Sequence, residues 1–150
     1  MFPDATSVVP ITLFLTDAQT AAVKERTGME LESQLFTYYV ARGADGLLGY
    51  AVIETHVVRT LPETALIVLS PTGHVKRVLL LAFYEPKEYM PPVRWLEQFS
   101  GRDADAPGWR LGRDVHAISG ATLTARALTQ AVRKILVLYQ VAIGVAPPHP

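Results

Sequence analysis

Runs of aromatic and β-branched residues, separated by turn residues, occupy the first half of the chain and predict a series of strands. The predicted strands cover 8–15, 33–41, 49–59, 64–69 and 74–83. Pro10 places the first strand at an edge of its sheet, because proline has no N–H to donate to a neighbouring strand. Turns are predicted at 43–46 and 71–73, where glycine lies between two strands. The pattern therefore predicts one strand and then, after a helix, four strands in a row.

Two shorter helices and one long helix complete the predicted elements. Thr16 and Gln19 form a capping box, and the helix that they open ends before Gly28. A second helix is predicted at 88–99, with two consecutive prolines in its first turn. The third helix, the longest, is predicted from about 120 to 142.

The longest predicted helix is amphipathic. Its apolar positions recur at helical spacing at Leu128, Val132, Ile135 and Tyr139. The polar positions on its other side are Arg126, Thr129, Gln130, Arg133 and Lys134. Strands in a row followed by helices are typical of an α+β fold, here with an antiparallel or mixed sheet packed by the long C-terminal helix and the two shorter ones. We therefore expect residues 1–150 to form a single domain with a frayed tail at 147–150.

Composition excludes several classes of protein. The chain has 150 residues, of which 49% are hydrophobic, so most of it is expected to be folded rather than disordered. It contains no Cys, which excludes disulfides, Cys-ligated zinc, iron–sulfur clusters and c-type haem. Lys and Arg number 14, as do Asp and Glu, and this balance argues against nucleic acid or an anionic membrane as the main partner.

Other local signals are weak. The first ten residues carry no basic segment and contain two prolines, so no signal peptide is expected there. The apolar stretch at 135–146 is too short to cross a bilayer and is predicted to be a buried helix end. His56 and His74 lie in predicted strands without partners at ligand spacing, so no metal site is expected.

The start of the long helix carries the clearest candidate chemistry. Ser119 is the predicted N-cap, which puts Gly120, Ala121 and Thr122 in the first turn. First-turn N–H groups lack intrahelical partners, and small residues allow an anion to approach them closely. Thr122 and Thr124 add hydroxyls. These residues indicate a phosphate or other anion at the helix start, with an ordinary helix cap as the alternative.

The wider segment resembles a known family. Ile118 to Thr124, followed by an amphipathic helix, is similar to the Ser/Thr-Gly-Ala-Thr motif of the FMN-binding domain family. That family includes the flavin-carrying soluble domains of the sodium-pumping NADH:quinone oxidoreductase and of the Rnf complex. The resemblance is sharp over about 112–135 and looser over 49–90. It implies FMN as the cofactor.

Carried across, the resemblance makes Thr122 the residue that bears FMN through a phosphoester bond, installed by a dedicated flavin transferase. Ser119, Gly120 and Ala121 would present backbone to the phosphate. The loop at Glu85 and Pro86 would lie near the isoalloxazine ring.

Two residues before the motif also bear on the cofactor. The family has an Asp six residues before the acceptor Thr, and this chain has His116 there. His116 leaves non-covalent FMN open beside the covalent form, and as a cation it could contact a phosphate. Trp109 is a candidate to stack on the ring, whereas Trp95 is expected in the core.

The resemblance implies an electron carrier or redox-complex component rather than a stand-alone enzyme. It also implies redox proteins as partners and a place in a membrane-associated complex, on the periplasmic or outer face of the membrane. A non-flavin interaction or regulatory domain of the same fold is the alternative function.

Overall fold

The computed structural model describes residues 2–58, 60–105, 109, 115–116 and 121–145. The strands are β1 (Ser7–Phe14), β2 (Leu35–Gly43), β3 (Gly46–Val57), β4 (Pro62–Leu69) and β5 (Val75–Phe83). The helices are α1 (Asp17–Thr27), α2 (Val93–Leu96) and α3 (Thr122–Leu138). Short 3-10 turns lie at Lys87–Tyr89 and Glu97–Phe99, and α3 continues into a π-helical turn at Tyr139–Ile143.

The strands form one antiparallel sheet in the order β1-β2-β3-β4-β5. The predicted α+β class is therefore confirmed, and the sheet is antiparallel rather than mixed. Pro10 lies in the edge strand β1 opposite Tyr39, as predicted. A proline is tolerated there because its missing N–H faces away from the sheet.

The two faces of the sheet are covered differently. Helices α1 and α3 pack on one face, where Val23 and Leu128 join Tyr38, Val52 and Ile67 in a single buried cluster. The other face carries a smaller cluster of Ala51, Leu66 and Val68, and the side chain of Phe2 packs against it. The N-terminal segment thus covers part of the face opposite α1 and α3.

Helix α1 begins and ends as its sequence predicts. The Thr16 hydroxyl accepts a hydrogen bond from the N–H of Gln19 at 3.1 Å, and the Gln19 side chain accepts one from the N–H of Thr16 at 2.9 Å. Gly28 ends the helix with φ of 74°, a left-handed conformation that favours glycine. The predicted capping box and C-terminal glycine are both confirmed.

The second helix is much shorter than predicted. The segment 88–99 contains only the four residues of α2, flanked by two 3-10 turns. Met90 and Pro92 are extended, with ψ of 129° and 152°. The residue before a proline avoids the helical region, which keeps Met90 and Pro91 out of the helix, and the extended Pro92 then serves as the N-cap of α2.

Helix α3 begins two residues later than predicted. Ala121 occupies the N-cap with φ of −136° and ψ of 45°, so Thr122 is the first helical residue. The assignment of Thr129 to the polar side is also wrong: it is buried, and its hydroxyl donates to the carbonyl of Ala125 at 2.7 Å.

Candidate functional site

The first turn of α3 presents one threonine to solvent and buries another. Thr122 is exposed, Thr124 is 1% exposed and Ala121 is 3% exposed. Thr122 is therefore the hydroxyl in this turn that an external group can reach. The other two motif residues, Ser119 and Gly120, lie outside the described residues.

The electrostatics of this turn suit an anion. Ala121 has no side chain that could cap the helix, and the first turn contains no acidic residue. The first internal bond runs from the N–H of Ala125 to the carbonyl of Ala121 at 3.1 Å, so the N–H groups before it are not used by the helix. The first turn of α3 therefore places no carboxylate beside the positive end of the helix. A phosphate fits this set of donors.

His116 is fixed by its backbone rather than by its ring. Its N–H donates to the Gln98 side-chain oxygen at 2.8 Å, and its carbonyl accepts from the indole N–H of Trp95 at 2.5 Å. The residue is exposed. The structure thus holds this position against the segment of α2 and its following turn, while the side chain can change without breaking either bond.

The two tryptophans differ in their surroundings. Trp95 is 7% exposed and lies in the core, as predicted. Trp109 stacks on Phe99, with ring centroids 6.1 Å apart and planes 13° apart, and the Arg102 guanidinium lies 5.2 Å from its ring centre. Its indole N–H is buried and has no hydrogen-bond partner among the described residues. Side-chain packing already engages Trp109, so its ring is less free for a cofactor than its place in a loop suggested.

Glu85, which follows β5, is hydrogen-bonded to the turn between β3 and β4. It is 9% exposed, and its carboxylate accepts hydrogen bonds from the backbone N–H groups of Thr60 and Leu61, both at 3.0 Å. These residues belong to the turn between β3 and β4. The adjacent Pro86 is exposed and precedes a 3-10 turn. The loop that the resemblance places near the ring therefore has a structural role in holding that turn.

Loss of this carboxylate is expected to weaken the fold. In Glu85→Ala, two backbone N–H groups lose their acceptor, and the free energy of unfolding should fall by about 1–2 kcal/mol. Glu85→Gln keeps a side-chain oxygen at the same length and should lose less than half of that amount. Urea unfolding of both variants measures the difference. Equal stability of the alanine and glutamine variants would contradict the proposed role of the carboxylate.

A buried pair that sequence patterns missed lies beside this turn. His56 of β3 faces Glu63 of β4, and the imidazole Nε2 contacts a carboxylate oxygen of Glu63. The Glu63 side chain is fully buried and that of His56 is 15% exposed. The available signal was Glu63 itself, an acidic residue in phase with the inward positions Ala65 and Ile67 of an apolar strand.

Strand pairing brings these groups to one end of the sheet. Glu63 is directly opposite Phe83, which precedes Glu85 by two residues. Glu63 also follows the turn at Thr60 and Leu61 that Glu85 binds. His116 belongs to a separate contact with Trp95 of α2. The segment 117–120, which connects His116 to Ala121, lies outside the described residues.

Two further features of the described residues concern the membrane and metal ions. None of the helices there is both long and apolar enough to cross a membrane. In the same part of the chain, no three His, Asp or Glu side chains are grouped as metal ligands.

Fold and site together define the class of protein: an α+β domain whose longest helix starts with an anion-accepting turn and an exposed threonine. The sequence matches the family model of the FMN-binding domain over residues 48–137, more than half of the chain. The chain therefore belongs to the FMN-binding domain family, and the resemblance found in its motif is confirmed.

Comparison of structures agrees with this assignment at the level of the fold. The crystal structure of NqrC from Shewanella oneidensis matches with a TM-score of 0.65 and 18% sequence identity, over 91% of this chain and 82% of NqrC. No curated protein sequence matches the chain.

Proposed function

We propose that this FMN-binding domain carries its flavin through a phosphoester bond to the Thr122 hydroxyl and relays electrons between redox proteins. The observation that carries the proposal is the exposed Thr122 at the first turn of α3, inside the segment that matches the family. The helix end there is positive and has no first-turn carboxylate, which suits a bound phosphate.

Each part of the chain has a defined task in this proposal. The first-turn N–H groups of α3 bind the phosphate, and Thr122 supplies the oxygen of the ester. Glu85 keeps the turn at Thr60 and Leu61 in place at the same end as the buried pair His56–Glu63. When bound, FMN supplies the redox chemistry, and the protein orients it.

Attachment requires an activated flavin nucleotide and an enzyme. The Thr122 oxygen forms a bond to the phosphorus next to the flavin and loses its proton. The phosphoanhydride bond of the donor breaks, and its other phosphate leaves together with the nucleoside attached to it. We propose that a flavin transferase catalyses this step. We further propose that the domain works on the periplasmic or outer face of the membrane, in a membrane-associated redox complex.

Intact mass and absorption of protein produced together with a flavin transferase test this function. Covalent FMN adds the mass of FMN less one water and survives denaturation. A yellow protein of unmodified mass, whose flavin leaves on denaturation, would instead establish non-covalent binding. Protein that binds FMN neither covalently nor non-covalently would support the alternative, an interaction or regulatory domain of the same fold.

Residue 116 offers a gain-of-function prediction. His116→Asp restores the acidic residue that the family carries six positions before the acceptor, and a carboxylate binds the hard Mg²⁺ of a phosphoryl-transfer step better than an imidazole does. The flavin-bearing fraction of the chain should rise, because the backbone bonds of residue 116 do not involve its ring. Intact mass measures the fraction, and His116→Asn is the uncharged control. An equal fraction in the Asp and Asn variants would contradict a role for the charge.

A further inference from the structure

Strands β2 and β3 pair over only part of their length. Their ladder joins Tyr39–Gly43 to Gly46–Ala51 and extends no further. β2 nevertheless continues back to Leu35 in its pairing with β1, and β3 continues to Val57 in its pairing with β4. The sheet is thus divided at this end into a β1–β2 arm and a β3–β5 arm.

A cleft of about 330 Å³ lies between the two arms. Consecutive residues of both strands line it, Leu35 with Phe36 and Thr55 with His56. Successive residues of a strand point to opposite faces of the sheet, so this cleft passes between the strands and does not lie on one face. The cleft therefore occupies the position that an additional strand between β2 and β3 would take.

Backbone groups of β2 point into this cleft. The N–H of Leu15 donates to the carbonyl of Gln34 at 2.7 Å, which shows that even-numbered residues of this part of β2 bond to β1. Pro10, which has no N–H, lies opposite odd-numbered Tyr39, in agreement with this alternation. The backbone N–H and carbonyl of Thr37 are therefore directed towards β3.

The facing edge of β3 follows the same rule. The N–H of Val58 donates to the carbonyl of Leu61 at 3.2 Å, and Pro62 lies opposite Val57. Odd-numbered residues of this part of β3 therefore direct their backbone groups away from β4. Those of Thr55 point towards β2 across the cleft.

We propose that this cleft binds an extended peptide segment of a partner protein, which inserts between β2 and β3 as an additional strand. The two facing edges offer backbone donors and acceptors on both sides, which is the chemistry of strand addition. About four extended residues span the unpaired part of β2, at roughly 3.3 Å per residue. The proposal does not rest on the flavin attachment, although His56 of the buried pair also lines the cleft.

The lining also specifies the side chains of the segment. Apolar residues of the cleft include Leu15, Leu31 and Leu138. Its lining carries three carboxylates, Glu30, Glu32 and Glu54, and one ammonium, Lys134. Lys134 pairs with Glu54 and Lys24 pairs with Glu30, whereas within the described residues Glu32 has no ion-pair partner. A hydrogen bond from Lys24 lowers the pKa of Glu30, which keeps that carboxylate charged. The cleft therefore suits a segment that alternates apolar residues with Lys or Arg.

A capped hexapeptide in which Val and Lys alternate is the probe. Added to the isotope-labelled, flavin-free chain, it should shift the amide signals that line the cleft and slow hydrogen exchange at Thr37 and Thr55. A hexapeptide alternating Val and Glu should bind more weakly. A Val–Lys peptide N-methylated at every second residue should lose binding, because one of its edges can no longer donate.

Two proline variants form a matched pair on the protein. Thr37→Pro removes an N–H directed into the cleft, whereas Thr12→Pro removes one directed to solvent from the outer edge of β1. Both lose the same hydroxyl contact, since the Thr12 and Thr37 oxygens are 2.9 Å apart. Thr37→Pro should weaken peptide binding by about fivefold, the effect of one backbone hydrogen bond, and Thr12→Pro should leave it unchanged.

Several results would overturn the proposal. These are the absence of amide shifts at the cleft at millimolar peptide, equal weakening by both proline variants, and unchanged binding of the N-methylated peptide. The last comparison uses the unsubstituted protein and so holds even if Thr37→Pro fails to fold. Protection of Thr37 and Thr55 by added FMN in place of the peptide would also overturn it, because the cleft would then be part of the flavin site.

Discussion

In protein produced together with a flavin transferase, Thr122→Ala is expected to have the unmodified mass of the chain, while the unsubstituted protein carries one flavin phosphate. The substitution removes the oxygen that forms the ester, so covalent flavin should be lost completely. Thr122 is exposed and stands at the first position of α3, so the free energy of unfolding should change by less than about 0.5 kcal/mol. Intact mass and urea unfolding separate the two effects.

A control for this substitution lies in the same helix. Thr129→Ala also removes a hydroxyl from α3, one that bonds to the Ala125 carbonyl and is buried. Its flavin content should equal that of the unsubstituted protein. Flavin that stays covalently attached to Thr122→Ala would show that another residue bears it. Flavin that is present in that variant but leaves on denaturation would show that the helix start binds the phosphate without an ester.

The largest stability effect is expected at the buried pair. His56→Leu leaves the fully buried Glu63 carboxylate without its contact, and among the described residues the other oxygen of Glu63 has no hydrogen-bond partner. We expect a loss of about 3 kcal/mol in the free energy of unfolding. Glu63→Leu should cost about 1–2 kcal/mol, because the imidazole it leaves behind is partly exposed.

The double variant makes the test decisive. With both residues changed to leucine, stability should return to within about 1 kcal/mol of the unsubstituted protein, since apolar side chains replace a buried polar pair without leaving an orphan. Thr55 and Thr64 provide the control cycle, because their hydroxyls are 2.9 Å apart on the opposite face of the same two strands. Their coupling should be below about 1 kcal/mol. Additive losses at His56 and Glu63 would show that the pair does not act as a unit.

Local features of the fold could be predicted because neighbouring residues determine them. The capping box of Thr16 and Gln19 and the left-handed Gly28 depend on backbone groups within one turn, and both are as predicted. The two consecutive prolines also act locally, but the helix that follows them is shorter than the pattern predicts. They suit a first helical position, yet each forces the residue before it out of the helical region, so α2 begins only at Val93.

The candidate site also contains residues that a local motif indicates and residues that only distant contacts bring together. The family motif pointed to Thr122, because its chemistry is carried by a short contiguous segment. The bonds from Trp95 and Gln98 to the backbone of His116 join positions 18 or more residues apart, and no local pattern could indicate them. The resemblance places Glu85 near the flavin, and that stays a prediction. No local pattern indicates that its carboxylate also accepts hydrogen bonds from Thr60 and Leu61, about 25 residues earlier.

The sequence by itself determined the α+β class, the edge position of Pro10, the helix that follows the motif, and the family. These follow from alternation, capping and a contiguous motif, all of which depend on residues that are neighbours in the chain. Only the tertiary structure decided that α3 begins at Thr122, that His56 meets Glu63 and that β2 parts from β3. These depend on which strand segments pair and on which faces are buried. Both are set by packing across the whole chain, where the free energy of distant contacts outweighs local preference.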